Sequence, residues 1–250
     1  MKIPPKARGS NDSKPLLPMP DSPSAKTTRQ TGKRARPGLF IVFEGVEACG
    51  KTTQIELLAN RLRKEGCEPL CLREPGGTEI GEKIRAILKD SAYQGIMTPK
   101  TELLLMNAAR AQLVSQTIRP ALARGRTVIC DRYFYSTLAY QGAGRELPIE
   151  PLKAITEFAI DGLHPDLLFL LDIPLKESWE RLCRRNEELL QARGIKVKDR
   201  FEESGRLFHE NVYKGYQAIL EAFPDFRRLD GMKPREELAE EIWNIVQAFK

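Results

Sequence analysis

Histidine is nearly absent from this chain: His164 and His209 are the only two among 250 residues. That is too few for a histidine-based metal centre, and neither is assigned a role. Cysteine is scarce as well, with five at positions 49, 67, 71, 130 and 183. None forms a CxxC pair and the number is odd, so neither a disulfide framework nor a zinc site is expected, and a reducing cytoplasm is the natural setting. No apolar run approaches the ~18 residues that a membrane span requires. Net charge is missing too once the N-terminus is set aside. The overall balance is +6, but residues 1 to 37 alone hold nine Lys/Arg against two Asp, and the rest holds 31 basic and 32 acidic side chains. A basic body that would track nucleic acid is therefore not present, and any polyanion contact belongs to the tail.

That tail carries seven of the seventeen prolines and no periodic apolar pattern. It buries too little to offset its conformational entropy, so residues 1 to 37 are expected to be a disordered extension. Its charge leaves room for a weak contact with nucleic acid. It lacks the apolar core of a secretory signal, and Asp12, Asp21 and the prolines argue against an organelle transit peptide.

The remainder alternates two periods. "LFIVFEG", ending at Gly45, is a short apolar run of the kind that forms a buried parallel strand. From Thr52 the apolar residues Ile55, Leu58, Ala59 and Leu62 fall on one helix face, and Gly66 supplies a stop. "EPLCLRE", "TVICDRY", "DLLFLLD" and "FRRLDG" predict four more strands, with helical stretches between them, among them 79 to 90 and 100 to 124. Strands alternating with helices indicate βαβ units on a parallel sheet. No internal repeat or second core is visible, so residues 38 to 250 are expected to form one α/β domain.

Between the first strand and the first helix stands "GVEACGKT". The two glycines let the chain curl so that successive N–H groups point inward, and the following helix adds the positive end of its dipole. Lys51 is placed to reach the β- and γ-phosphates of a nucleotide, and the Thr52 hydroxyl to reach Mg²⁺. This strand–loop–helix context makes the pattern a phosphate-binding loop, formed by Gly45, Val46, Glu47, Ala48, Cys49, Gly50, Lys51, Thr52 and Thr53. Cys49 sits inside it with two readings open. Its sulfur either faces the loop as an activated thiol or turns into the protein as an inert filler.

A loop of this kind does not reveal whether its phosphoryl group goes to water or to an acceptor. The next strand ends in Asp131, where such proteins place a carboxylate near Mg²⁺, followed at once by Arg132. Arg73 in "LREPGGT" and Arg110 in "NAARAQL" also stand near strand ends or the helices that follow. An arginine offers a planar fork of donors, and three of them beside one phosphate loop point to a phosphorylated acceptor.

Taken together, "FEGVEACGKTTQ", "REPGGT", "AAR", "DRYFYSTLAYQGAGR" and "PDLLFLLD" resemble thymidylate kinase from about Leu39 to the C-terminus. The resemblance implies a three-layer nucleoside monophosphate kinase fold with a five-stranded parallel sheet, ATP and Mg²⁺, transfer to dTMP, and a homodimer. It implies that Arg73, Arg110 and Arg132 handle the dTMP phosphate and nearby polar groups. Tyr140 would disfavour a 2′-hydroxyl, Ser136 and Gln141 would lie near the base, and Glu47 would accept from the 3′-hydroxyl. Family members with an arginine in the phosphate loop have it where this chain has Glu47 and Ala48. The bacterial type supplies it from a lid, which fits residues 181 to 206 with their eight Lys/Arg. Arg193 and Arg200 are the candidates for the catalytic cation there, and "RLDGMKP" resembles the loop that packs on adenine. One position departs from the pattern. Where the family has an aromatic ring to stack on thymine, this chain has Met106 and Asn107, so weaker discrimination between bases is expected.

The rival readings are a kinase of another nucleoside monophosphate or of a deoxynucleoside, a phosphate-loop switch or ATPase without an acceptor, and a nucleic-acid binder working through the tail.

Overall fold

The computed structural model describes residues 38–193 and 200–249. The basic extension and the lid stretch 194–199 lie outside these, as does the Arg193 side chain. Five strands, β1 (Phe40–Glu44), β2 (Leu70–Arg73), β3 (Val128–Asp131), β4 (Leu167–Asp172) and β5 (Phe226–Asp230), pair in the order β2-β3-β1-β4-β5, all parallel. They stand where the five apolar runs predict. The central strand β1 is buried along its whole length, because helices cover both faces of the sheet. The edge strands β2 and β5 expose alternate or middle positions instead.

Pairing register decides what meets at the carboxyl ends. Phe43 lies opposite Asp131, and Arg73 lies opposite Asp131 on the other side. Three segments far apart in sequence thus end in one row, next to the turn from β1 into helix α1 (Lys51–Lys64). Here the chain order of the strands reverses direction across the sheet, which is where such folds open a crevice.

Helices α2 (Glu79–Lys89) and α3 (Pro99–Leu113) follow β2. Both begin on a threonine whose side chain accepts from a backbone N–H, Thr78 from Gly81 and Thr98 from Thr101. The helical stretch expected at 100 to 124 is interrupted by a π-helical turn at Val114–Ile118 before α4 (Arg119–Ala123). A second π-helical segment, Leu138–Gly144, continues the short helix α5 (Phe134–Thr137). Then come α6 (Ile149–Ile160), α7 (Leu175–Arg193), α8 (Arg206–Ala222) and α9 (Arg235–Phe249).

Helix α8 approaches the second π-helical segment very closely. A Cβ added at Gly215 would lie 2.8 Å from Ala143 Cβ and 3.0 Å from Ala139 Cα. This contact seats Phe208, His209, Val212 and Tyr216 in the interior. Gly215→Val should therefore force α8 outward and destabilise the protein by about 1–3 kcal/mol, the usual cost of overpacking. Urea unfolding measures it; a midpoint equal to the parent's would contradict the packing argument.

Candidate active site

The loop from β1 to α1 depends on its glycines. Gly45 has φ +139°, and a Cβ there would lie 2.6 Å from the Leu171 carbonyl oxygen and 2.8 Å from Cys49 Sγ. Gly50 has φ +101° and precedes α1 in the left-handed region. Lys51 Nζ folds back onto the carbonyl oxygens of Val46 (2.9 Å) and Gly45 (3.1 Å). Thr52 Oγ1 donates to Asp131 Oδ2 at 3.2 Å. A hydroxyl and a carboxylate side by side are hard oxygen donors. They suit Mg²⁺, which takes one or two protein ligands and fills its remaining positions with phosphate and water oxygens.

Arg132 follows Asp131 with φ +71°, a conformation a side chain resists. Glu44 holds it there. That carboxylate, at 0% exposure, accepts the backbone N–H of Tyr133 (2.8 Å) and Ser136 (3.1 Å) on Oε1. On Oε2 it accepts the hydroxyls of Ser136 (2.6 Å) and Tyr216 (2.8 Å). It thereby takes the amide of Tyr133, just before α5, and that of Ser136 in its first turn, and fixes the turn that carries Arg132. Arg132 donates in turn to the Gly45 carbonyl, the Tyr216 hydroxyl (both 2.9 Å), Ser136 Oγ (3.2 Å) and Glu47 Oε1 (3.4 Å). The hydroxyl of Ser136, expected near a base, is engaged in this network.

Glu47 faces the same cluster. Its Oε1 accepts from the Tyr140 hydroxyl at 2.5 Å, while Oε2 is turned toward His209 Nδ1 at 3.9 Å. Burial alone would raise its pKa, but Arg132, the Tyr140 hydroxyl and Lys51 together hold it below the usual carboxylate value. Glu47 is thus an ionised acceptor inside the loop. The Tyr140 ring lies beneath Arg132, 5.0 Å from its guanidinium carbon.

Three of the expected arginines separate in kind. Arg73, half exposed, pairs with Glu82 at 2.9 Å and lines the cavity. Arg110 is turned inward. Its nitrogens go to Glu74 (2.8 Å), Asn107 Oδ1 (2.9 Å), Thr137 Oγ1 (3.0 Å) and the Tyr133 carbonyl (3.3 Å). The clamp expected of Arg110 is thus committed to protein acceptors, and it braces the cavity wall. Burial raises the Glu74 carboxyl to about 7 against the pull of Arg110. Asn107 serves the same pair, whereas Met106 lines the cavity.

Arg200, one of the two candidates for the lid cation, is turned into the protein. It is 2% exposed, donates from Nε to the Leu88 carbonyl (2.8 Å), and pairs through Nη1 with Glu102 (2.6 Å). Arg200 thus ties the segment after α7 to α2 and α3, while its Nη2 is buried without a hydrogen-bond partner. Beside it, Phe201 and Glu202 line the cavity. Arg181, on α7, pairs with Glu177 and reaches the Gly231 carbonyl, while Arg185 pairs with Glu202 at 2.7 Å. Ser178 Oγ, also on α7, donates to the Glu47 carbonyl at 2.7 Å and ties α7 to the phosphate loop.

These groups surround a cavity of about 500 Å³, the size of a small-molecule site. It runs from the phosphate loop past Arg132 and Tyr140 to Gln141. The sequence profile describing thymidylate kinase matches residues 43–242. The chain belongs to the thymidylate kinase family. It is 40% identical over 211 residues to the thymidylate kinase of Fervidobacterium nodosum, covering 84% of this chain and 100% of that one. It is 48% identical over 194 residues to that of Chlorobium luteolum, covering 74% and 86%. With that of Deinococcus radiodurans it shares 43% over 210 residues, covering 84% and 96%.

Several residues that build the site carry no sequence signal of their own. Glu44, Glu102, Tyr216, His209 and Phe201 look like ordinary core or helix positions, and only the folded contacts reveal them. Cys49 lines the cavity yet is buried. At 1% exposure, its sulfur lies against Gly45, within 3.5 Å of Lys51 Nζ. Iodoacetamide should modify the exposed Cys71 and Cys183 in the native protein and leave Cys49 untouched until the chain is unfolded. Peptide mass spectrometry reads this directly. ATP-protected labelling of native Cys49 would mean that the sulfur faces the ligand.

Proposed function

We propose that this member of the thymidylate kinase family transfers the γ-phosphoryl group of ATP to the phosphate of dTMP, giving dTDP and ADP. The observation that carries the reading is the junction of two anion-handling features in one cavity. A phosphate loop with Lys51 lies within hydrogen-bond reach of Arg132, which donates to the Gly45 carbonyl of that loop. Arg132 offers a planar fork of donors at the acceptor end of the cavity, which suits a phosphorylated acceptor.

In this reading Lys51 exchanges the carbonyl oxygens of Gly45 and Val46 for the β- and γ-phosphates of ATP. Thr52 and Asp131 would hold Mg²⁺, which would supply neutralisation of the phosphate charge. Arg132 and Arg73 orient the acceptor phosphate, whose oxygen is already anionic and needs no general base. Glu47 accepts from the 3′-hydroxyl, and Tyr140 occupies the space that a 2′-hydroxyl would require. Arg193 supplies the lid cation, since the loop offers Glu47 and Ala48 where an arginine would otherwise stand. Positioning and electrostatic stabilisation then account for the chemistry. Met106 replaces a stacking ring, and a reduced preference for dTMP over dUMP follows. The free thiols suit a cytoplasmic enzyme. Among the described residues no helix is long and apolar enough to cross a membrane.

ADP release with a panel of nucleoside monophosphates tests the assignment: dTMP should be the preferred acceptor over purine nucleotides. Lys51→Ala should abolish transfer yet leave dTMP binding by calorimetry largely intact, a loss of about 3 kcal/mol or more in the transfer step. Arg193→Ala should lower kcat far more than it raises the KM for ATP. Arg200→Ala should instead lower the melting temperature. A parent-like turnover for Lys51→Ala would sink the reading, and a kcat loss confined to Arg200→Ala would move the lid cation.

A homodimer is proposed through the α3/α6 side. These two packed helices leave Leu104 56% exposed and Phe158 88% exposed, surface that a second copy would cover. Sedimentation velocity should give twice the chain mass, and Phe158→Glu should shift it toward the monomer. A monomeric parent at micromolar concentration would contradict this.

A further inference from the structure

Glu102 lies on α3, away from the phosphate loop, and is wholly buried. Donors from three places converge on it. Gln141 Nε2 reaches Oε1 at 2.7 Å. Arg145 Nε reaches Oε1 at 3.2 Å and its Nη2 reaches Oε2 at 3.1 Å. Arg200 Nη1 reaches Oε2 at 2.6 Å. Guanidinium N–H groups thus reach both oxygens, and the carboxylate serves only as an acceptor.

That fixes the polarity of Gln141. Its amide must turn Nε2 toward Glu102, which leaves Oε1 as the group facing away. Among the described residues no donor reaches that Oε1, and Gln141 lines the cavity together with Thr137 and Tyr140. Arg110 does not fill that Oε1, because its nitrogens are engaged on Glu74, Asn107, Thr137 and Tyr133.

We propose that Glu102 is a specificity-determining positioning residue: by holding Gln141 Nε2 it presents Oε1 as a fixed acceptor that selects pyrimidines carrying an N3–H, thymine and uracil, over cytosine. The inference rests on the reading that Gln141 meets the base of the acceptor nucleotide. Thymine and uracil offer a donor at N3. Cytosine offers a lone pair at the same place, which would face the lone pairs of Oε1 and leave both groups unsatisfied. The methyl group of thymine plays no part in this contact, so dTMP and dUMP are treated alike by it.

The test is kcat/KM for dTMP, dUMP and dCMP with the full chain, its Glu102→Gln variant and its Gln141→Leu variant. In Glu102→Gln the new amide can donate to Gln141 Oε1, which frees Gln141 to turn its NH₂ toward the base. The ratio of dTMP to dCMP should then narrow about tenfold or more, while the ratio of dTMP to dUMP and the KM for ATP stay unchanged. A merely structural defect would lower all acceptors alike and leave the ratios in place. Gln141→Leu leaves Glu102 paired with both guanidiniums and should lose the same discrimination. If Gln141→Leu loses it and folded Glu102→Gln keeps it, the proposal is overturned and the base reading of Gln141 stands. If Gln141→Leu keeps it, the base reading itself falls, and the proposal with it. Should Glu102→Gln alone fail to fold, the charge-compensated pair Glu102→Gln with Arg200→Met takes its place, with the same two outcomes.

Discussion

The buried carboxylate of Glu44 is the constraint on which the site depends. A strand that ends in the interior would normally leave the following helix start without partners for its first amides. Glu44 fills that need from the neighbouring strand, taking the N–H groups of Tyr133 and Ser136 together with the hydroxyls of Ser136 and Tyr216. The turn between β3 and α5 is thereby held tightly enough to keep Arg132 at φ +71°. From that strained position the guanidinium reaches back to the Gly45 carbonyl and to Glu47. Donor loop and acceptor arginine are therefore positioned by one hydrogen-bonded cluster, and neither can shift without disturbing the other.

The same device recurs around the cavity. Glu44, Glu74 and Glu102 are all buried, and each ties together elements that the chain connects only through long excursions. Glu74 draws Arg110 from α3 toward the end of β2. Glu102 joins α3 to the second π-helical segment and to the root of the lid. Carboxylates of this kind add little net stability, because desolvation offsets much of the Coulombic gain. What they supply is orientation: Glu44 and Glu102, which accept on both oxygens, leave their partners only one arrangement.

How much of this was legible in the sequence follows from the range over which each feature is encoded. The phosphate loop is local: Gly45, Gly50, Lys51 and Thr52 lie within eight residues, and their geometry follows from φ angles and one helix start. The five strands are equally local, as short apolar runs. The strand order is not, nor is the register that sets Arg73, Asp131 and Phe43 in one row. The π-helical turns at Val114–Ile118 and Leu138–Gly144 arise from tertiary packing and leave no pattern in a helical sequence. The pairing of Arg110 with Glu74 and of Arg200 with Glu102 is equally hidden, because those carboxylates are distant in the chain.

Those two arginines differ from Arg73 and Arg185 in a way that magnitudes decide. Arg73 and Glu82 are both about half exposed, and Arg185 is exposed on its own side of its pair. Exposed pairs contribute roughly 0–1 kcal/mol, so an incoming phosphate can displace their carboxylates at little cost. Arg110–Glu74 and Arg200–Glu102 are buried on both sides. Breaking such a pair strands a charge in the interior and costs about 3–5 kcal/mol, which a phosphate that also sheds its own water cannot readily offset. Displacing the carboxylate is therefore cheap for the first kind of arginine and costly for the second. How firmly each arginine is held is set by the burial of its carboxylate partner, a property of the folded chain that no single arginine's sequence neighbourhood carries.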